Sequence, residues 1–250
     1  MEVELYSYFI VCPLIFFAGF VNAIAGGGGL IALPAYLIAG IPMHFALGTN
    51  KLSSTLGSIV SVFRYYKNGF IDFKLAIPSI FCALIGSFVG ANIVIEISES
   101  FMNKFLLATL PLVAIYIFKK KSFTQTTTDI SKQKALIYSA LVSFFIGIYD
   151  GFFGPGTGTF LVIAYISIAK IDPKIATGNS RLVNLTSSFS ALVVFLYNGY
   201  VLLPLGICAC IFSMLGSYVG AGLVIKKGVT IIRYAIIFVL ILLFIKILMN

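Results

Sequence analysis

The sequence predicts an all-α polytopic membrane protein made of two inverted repeats. Each repeat is expected to hold a glycine-broken helix or re-entrant hairpin and three transmembrane helices. Three observations predict this. Of the 250 residues, 60% are hydrophobic and only 10% charged, with a mean hydropathy of +1.08, whereas a soluble domain carries about 25% charged residues. Apolar runs long enough to span a bilayer recur along the whole length. The two halves also repeat in register. Gly48, Lys51, Asn68 and Gly69 stand 130 positions before Gly178, Arg181, Asn198 and Gly199, and so does Gly86-Ser87-Phe88-Val89-Gly90-Ala91 before Gly216-Ser217-Tyr218-Val219-Gly220-Ala221. Gly19, Asn22, Gly26 and Gly28 stand 128 before Gly147, Asp150, Gly154 and Gly156, so the second half gains two residues between its glycine break and its cation motif.

The first apolar segment runs from about Leu5 to Ala25 and meets Gly26-Gly27-Gly28-Gly29. Four glycines hold a helix poorly, at roughly 1 kcal/mol each relative to alanine. The 11-residue piece Leu30–Gly40 follows, and at 1.5 Å per residue it covers about half of a 30 Å hydrocarbon core. The spans Ala46–Tyr66, Phe73–Ile95 and Phe101–Phe118 complete the first half, residues 1–118. Lys119–Lys134 is polar, too short to fold alone, and reads as a linker. The second half, residues 135–250, repeats the order: Ala135–Phe153, the break Gly154-Pro155-Gly156-Thr157-Gly158, the short piece Thr159–Ala169, then Ile175–Tyr197, Val201–Ile225 and Val229–Met249. Each broken segment is either a re-entrant hairpin or two crossings, and the short pieces favour the hairpin.

Ala23-Ile24-Ala25 mimics a signal-peptidase site. The residues before it carry Glu2 and Glu4 and no cation, and the stretch has an internal counterpart, so it is expected to remain in the mature protein. Charge then orients the chain. Thirteen Lys and Arg, from Arg64, Lys67 and Lys74 through Lys119–Lys134, Lys170 and Lys174 to Lys226, Lys227 and Arg233, fall on one side, and only Lys104 and Lys246 fall on the other. By the positive-inside rule the first set is cytoplasmic. Equivalent loops then face opposite ways: Lys67–Gly69 inside against Asn198–Gly199 outside. Inverted repeats with interrupted helices are the pattern of secondary transporters. The net charge of +9 lies in short loops rather than a basic stripe, so no nucleic-acid partner is expected; the bilayer is one partner and a small anion the other. Oligomeric state stays open, a homo-oligomer included.

Two motifs carry the chemistry. Ala46-Leu47-Gly48-Thr49-Asn50-Lys51 and Ala176-Thr177-Gly178-Asn179-Ser180-Arg181 each put one cation inside a membrane segment, which costs roughly 2.5–3.5 kcal/mol on insertion scales. Lys51 and Arg181 are therefore expected to bind an anionic substrate, with Thr49, Asn50, Asn179 and Ser180 as hydrogen-bond donors. The alternative is that each cation snorkels to an interface or pairs with a buried acid. Backbone N–H groups freed at the glycine breaks, at Gly27, Gly28, Gly156 and Thr157, suit an oxyanion, although glycine also serves close helix packing. Asp150, the one acid in the apolar part, is a candidate for proton coupling with Asn22 as its counterpart; it could equally cap a helix or balance Arg181. Gly86/Gly90 and Gly216/Gly220 read as helix-contact faces, the four cysteines as inert buried thiols, and His44 as an incidental residue of a short outside loop. No nucleophile–base pair or metal-ligand cluster is visible in the sequence, so neither an enzyme, a cofactor nor a metal is expected.

Phe17–Gly29 and Gly48-Thr49-Asn50-Lys51, together with Gly147–Gly158 and Gly178–Arg181, resemble the TauE/SafE sulfite exporter family over nearly the whole chain. The resemblance implies a prokaryotic inner-membrane, multi-pass transporter of sulfur-containing anions such as sulfite, sulfonates or thiosulfate. The family motif carries over to Asn50 and Lys51, and to Asn179 and Arg181. Gly-Asn-Ser-Arg in the second half departs from Gly-Thr-Asn-Lys in the first, and arginine presents a fork where lysine presents a point charge. The residues themselves leave carboxylates as alternative cargo and an anion channel as an alternative mechanism.

Overall fold

The computed structural model describes residues 4–105, 108–109 and 130–227. These residues form helices and connecting turns, with no strand among them. The helices are α1 (Leu5–Ala25), α2 (Gly29–Ile38), α3 (Met43–Lys67) and α4 (Phe73–Ile95) in the first half. In the second they are α5 (Lys132–Phe152), α6 (Thr157–Ser167), α7 (Pro173–Tyr197) and α8 (Leu203–Lys227). A further helix begins at Glu99. The spans expected at Phe101–Phe118, beyond its first residues, and at Val229–Met249 lie outside the described residues.

Local chemistry sets the helix ends. Asp72 accepts from the N–H groups of Lys74 and Leu75, and Asp172 accepts from Lys174 and Ile175 ahead of Pro173 in the first turn, both ordinary N-caps. Ser131 caps α5 by accepting from Lys134 N. The helix thus starts at Lys132, three residues before the apolar run and inside the stretch expected to be linker.

Both glycine breaks fall where expected. Gly26 closes α1 with φ +76° and Gly156 opens α6 with φ +83°, a left-handed conformation that costs side-chain-bearing residues about 1–2 kcal/mol. After the first break the chain doubles back. Tyr6 Oη and Ser7 Oγ, at the start of α1, donate to the carbonyl of Ala39 just beyond α2. Chain that leaves α1 at Ala25 therefore returns to the level at which α1 began, as a hairpin does. The short helices have 10 and 11 residues, about 15 Å each.

α1, α4, α5, α7 and α8 are long and apolar enough to cross a membrane. α3 matches α7 at 25 residues but is more polar, because it ends in Arg64-Tyr65-Tyr66-Lys67 where α7 ends in Val194-Phe195-Leu196-Tyr197. α3 and α7 pack on each other at the centre. Around them α4 packs on α5 and α7, and α8 packs on α1 and α3. Each of these pairings has its counterpart when the halves are exchanged. Gly86 and Gly90 lie against the Phe144 and Ile148 carbonyls of α5, and Gly216 and Gly220 against the Phe16 and Phe20 carbonyls of α1. No larger side chain fits at those four contacts, so the two glycine pairs are helix-contact faces, as read from sequence. Outward, Phe9, Phe81, Phe145, Phe189 and Ile211 are exposed, an apolar surface of the kind a bilayer covers. Cys12 and Cys208 face each other across α1 and α8 with sulfurs 3.2 Å apart.

One local expectation is corrected. His44 lies in the first turn of α3 and is buried, not in a loop. Its Nε2 donates to the Val94 carbonyl at 3.1 Å, and Nδ1 is 3.5 Å from Glu99 Oε1. The helix starts three residues before Ala46, since Pro42 leaves no earlier N–H to satisfy and opens the helix well.

Candidate functional site

The two glycine breaks touch. Gly26 and Gly158 meet backbone to backbone, and Thr159 Oγ1 donates to the Ala25 carbonyl at 2.5 Å. Around this contact the central helices α3 and α7 place Lys51 and Arg181, both at most 2% exposed.

Lys51 has partners, both on Asp150. Its Nζ pairs with Asp150 Oδ1 at 3.0 Å and donates to the Asp150 carbonyl at 2.5 Å. Asp150 stands near the end of α5, where the break leaves helix carbonyls without their usual partner. A cation there satisfies both that carbonyl and the negative end of the helix dipole. The second carboxylate oxygen, Oδ2, accepts from Ser187 Oγ at 2.8 Å and Ser188 Oγ at 3.4 Å, both on α7. The acid is thus spoken for by Lys51 and two serines, and it does not balance Arg181.

Arg181 is the opposite case. Its Nε, Nη1 and Nη2 are buried and have no hydrogen-bond partner among the described residues. The guanidinium lies against Gly26 and Gly158, where a methyl group on either glycine would collide with Nη1. Its surroundings explain the missing partner. Three carbonyls at the end of α1 are already taken: Asn22 accepts from Gly26 N, Ala23 from Tyr65 Oη and Ala25 from Thr159 Oγ1. Asn22, the counterpart of Asp150, brings no charge; its Nδ2 donates to Ser58 Oγ at 3.4 Å. The two cations, expected to act alike, therefore differ in what they have to bind.

A polar cavity of about 30 Å³ lies between the halves, room for one or two water-sized groups. Asn22, Asn50, Lys51, Asp150, Asn184 and Ser188 line it, with Gly26, Gly28 and Gly154 from the two breaks. Arg181 sits directly behind the Gly26 wall. The N–H groups of Gly27 and Gly28 have no partner among the described residues. Of the residues expected at the site, the structure thus brings together Asn22, Gly28, Asn50, Lys51 and Asp150 on one cavity, with Arg181 and Gly27 next to it.

The remaining motif residues bond to protein. Thr49 Oγ1 accepts from Leu202 N at 3.0 Å, and Asn179 Oδ1 accepts from Asp72 N at 3.0 Å while its Nδ2 donates to the Asp72 carbonyl. Each ties its helix to the chain leading into the opposite half's fourth helix. Ser180 Oγ donates to the Thr177 carbonyl and Thr157 Oγ1 to the Gly154 carbonyl, while Gly156 supplies the turn before α6. Sequence reasoning missed Ser58, Asn184, Ser187 and Ser188. A signal was present: Ser58 and Ser188 lie seven residues beyond Lys51 and Arg181, on the same helix face, and 130 apart from each other. Among the described residues no group of His, Cys, Asp and Glu side chains could hold a metal.

Comparison with known proteins gives a consistent kinship. The model of the family described as "Sulfite exporter TauE/SafE" matches residues 11–247. A probable membrane transporter protein, ORF9, of a Sinorhizobium species is 34% identical over 93% of this chain and 89% of its own length. One from Haemophilus influenzae is 33% identical over 87% and 85%, and the probable membrane transporter protein YfcA of Escherichia coli is 30% identical over 93% and 89%. No solved structure matches the chain.

Proposed function

The chain belongs to the sulfite exporter TauE/SafE family of membrane transporters, and on that premise we propose that it is a secondary transporter for a small sulfur-containing anion: sulfite, thiosulfate or an organosulfonate. It works by alternating access in the inner membrane of a prokaryote, with Lys119–Lys134 in the cytoplasm. Its two halves are inverted repeats, a reading supported by the constant sequence offset, the matched helix pairings and the opposite charge of equivalent loops.

The observation that carries this reading is the buried Arg181 guanidinium. Leaving a buried charge unpaired typically costs several kcal/mol, and a folded membrane protein keeps one where a ligand supplies the missing charge. The fork has donors suited to two oxygens of one oxyanion, and the free N–H groups of Gly27 and Gly28 lie across the Gly26 turn. Lys51, Asn50 and Asn22 line the polar cavity beside it.

The test is equilibrium binding of sulfite, thiosulfate, taurine, sulfoacetate and simple carboxylates to the purified protein. Arg181→Met should weaken the best sulfur anion by about 10- to 150-fold, the worth of one charge-assisted contact. Lys67→Gln, at an exposed position, should change little. Equal binding by Arg181→Met overturns the site, and tighter binding of carboxylates overturns the substrate class. Saturable flux with counter-transport in vesicles separates a carrier from a channel.

A further inference from the structure

We propose that Asp150 is a built-in counterion that sets the charge of the accepted anion, so that the core takes an oxyanion with a single negative charge. This rests on the transporter reading above and narrows it, towards a monosulfonate or hydrogensulfite and away from thiosulfate.

Among the described residues, the formal charges buried in the core are Lys51, Arg181 and Asp150, with His44 at the far end of α3. By sequence register Lys51 corresponds to Arg181, and Asp150 to Asn22. The two half-sites are thus built from the same positions: a cation on the central helix, and an acid or its uncharged amide at the end of the helix before the glycine break. In one half the Asp150 carboxylate sits 3.0 Å from the cation and is braced by Ser187. In the other the amide of Asn22 bonds Ser58 and the cation has no partner. Asp150 therefore occupies, permanently, the place that an anion's oxygens would take beside Lys51. What remains is one uncompensated positive charge, at Arg181, next to a cavity shared by both halves. A second negative charge on the ligand would meet the Asp150 carboxylate, itself a wall of that cavity, and no free cation. Like charges brought together in a desolvated site are disfavoured.

The test uses methanesulfonate and sulfate, tetrahedral anions of nearly equal size with one and two charges, binding to the purified full-length protein. Wild type should bind methanesulfonate more tightly. Asp150→Asn, which gives the second half the amide of the first, frees Lys51 and should move the preference towards sulfate by about 10- to 100-fold. Lys51→Gln combined with Asp150→Asn removes both members of the pair and restores a single positive charge. It should return the preference to the wild-type ratio, whatever the fall in absolute affinity. The reciprocal change, Asn22→Asp, puts an acid into the first half and should abolish binding of both anions. An unchanged ratio in Asp150→Asn, or a shift just as large in the double variant, overturns the proposal. If Asp150→Asn does not fold, the other two variants decide: retained binding in Asn22→Asp, or a double variant that prefers sulfate, overturns it. Wild-type binding that depends on Arg181 but ignores ligand charge overturns this inference alone. Binding of neither anion by wild type overturns the transporter site with it.

Discussion

At the scale of single residues, the two cations predict opposite stability effects for the same substitution. Removing one member of a buried ion pair leaves the other uncompensated, which costs about 3–5 kcal/mol, whereas exchanging a buried charge for a well-packed apolar side chain is neutral or stabilising by about 1–4 kcal/mol. Lys51→Met strands Asp150 and should lower the midpoint of thermal unfolding in detergent. Arg181→Met strands nothing among the described residues, and should leave the midpoint unchanged or raise it while binding is lost. A midpoint that falls as far in Arg181→Met as in Lys51→Met would mean that the guanidinium has a structural partner after all. The sequence placed both cations and the acid at the centre but could not say which cation the acid serves. That choice depends on which carbonyls the glycine breaks leave free. On α1 they are consumed by Tyr65 and Thr159, residues distant in sequence whose hydroxyls carry no sign of that role.

Among the elements, the glycine breaks make sharply graded demands. Gly26 combines φ +76° with contact to both the Arg181 guanidinium and Gly158, so Gly26→Ala should destabilise by about 1–3 kcal/mol and displace Arg181. Gly27, one residue on, meets nothing nearer than 3.6 Å and has an ordinary φ, so Gly27→Ala should be tolerated in both expression and thermal unfolding. Equal loss in the two variants would show that the break needs flexibility rather than close approach. The existence and order of the helices were legible in sequence because apolar length and glycine interruption are local signals. Their partners were legible only in part. Gly86/Gly90 announced a contact face, whereas Thr49 and Asn179 looked like ligand donors. A side chain holding backbone in the other half is chemically the same residue as one waiting for an anion. His44 was misplaced because α3 starts at Met43, three residues before the expected start, and its buried partner, the Val94 carbonyl, is fifty residues away.

For the whole molecule, the decisive prediction is orientation. Asn68 and Asn198 end equivalent helices, each followed by a positive-φ glycine, Gly69 at +68° and Gly199 at +74°. In a background lacking the four native cysteines, Asn68→Cys should be labelled by an impermeant reagent only from the cytoplasmic side and Asn198→Cys only from the outside. Labelling of both from one side would remove the inverted relation while leaving the sequence duplication intact. The bonds of Thr49 to Leu202 N and of Asn179 to Asp72 N have a mechanical consequence. Each central helix holds the leading end of a helix belonging to the other half, like two hands gripping opposite wrists. The two grips hold different helices, so each ties the halves together at its own contact. On the transporter reading proposed above, Thr49→Val, which opens one grip and leaves the other, should slow turnover without weakening the anion's equilibrium hold.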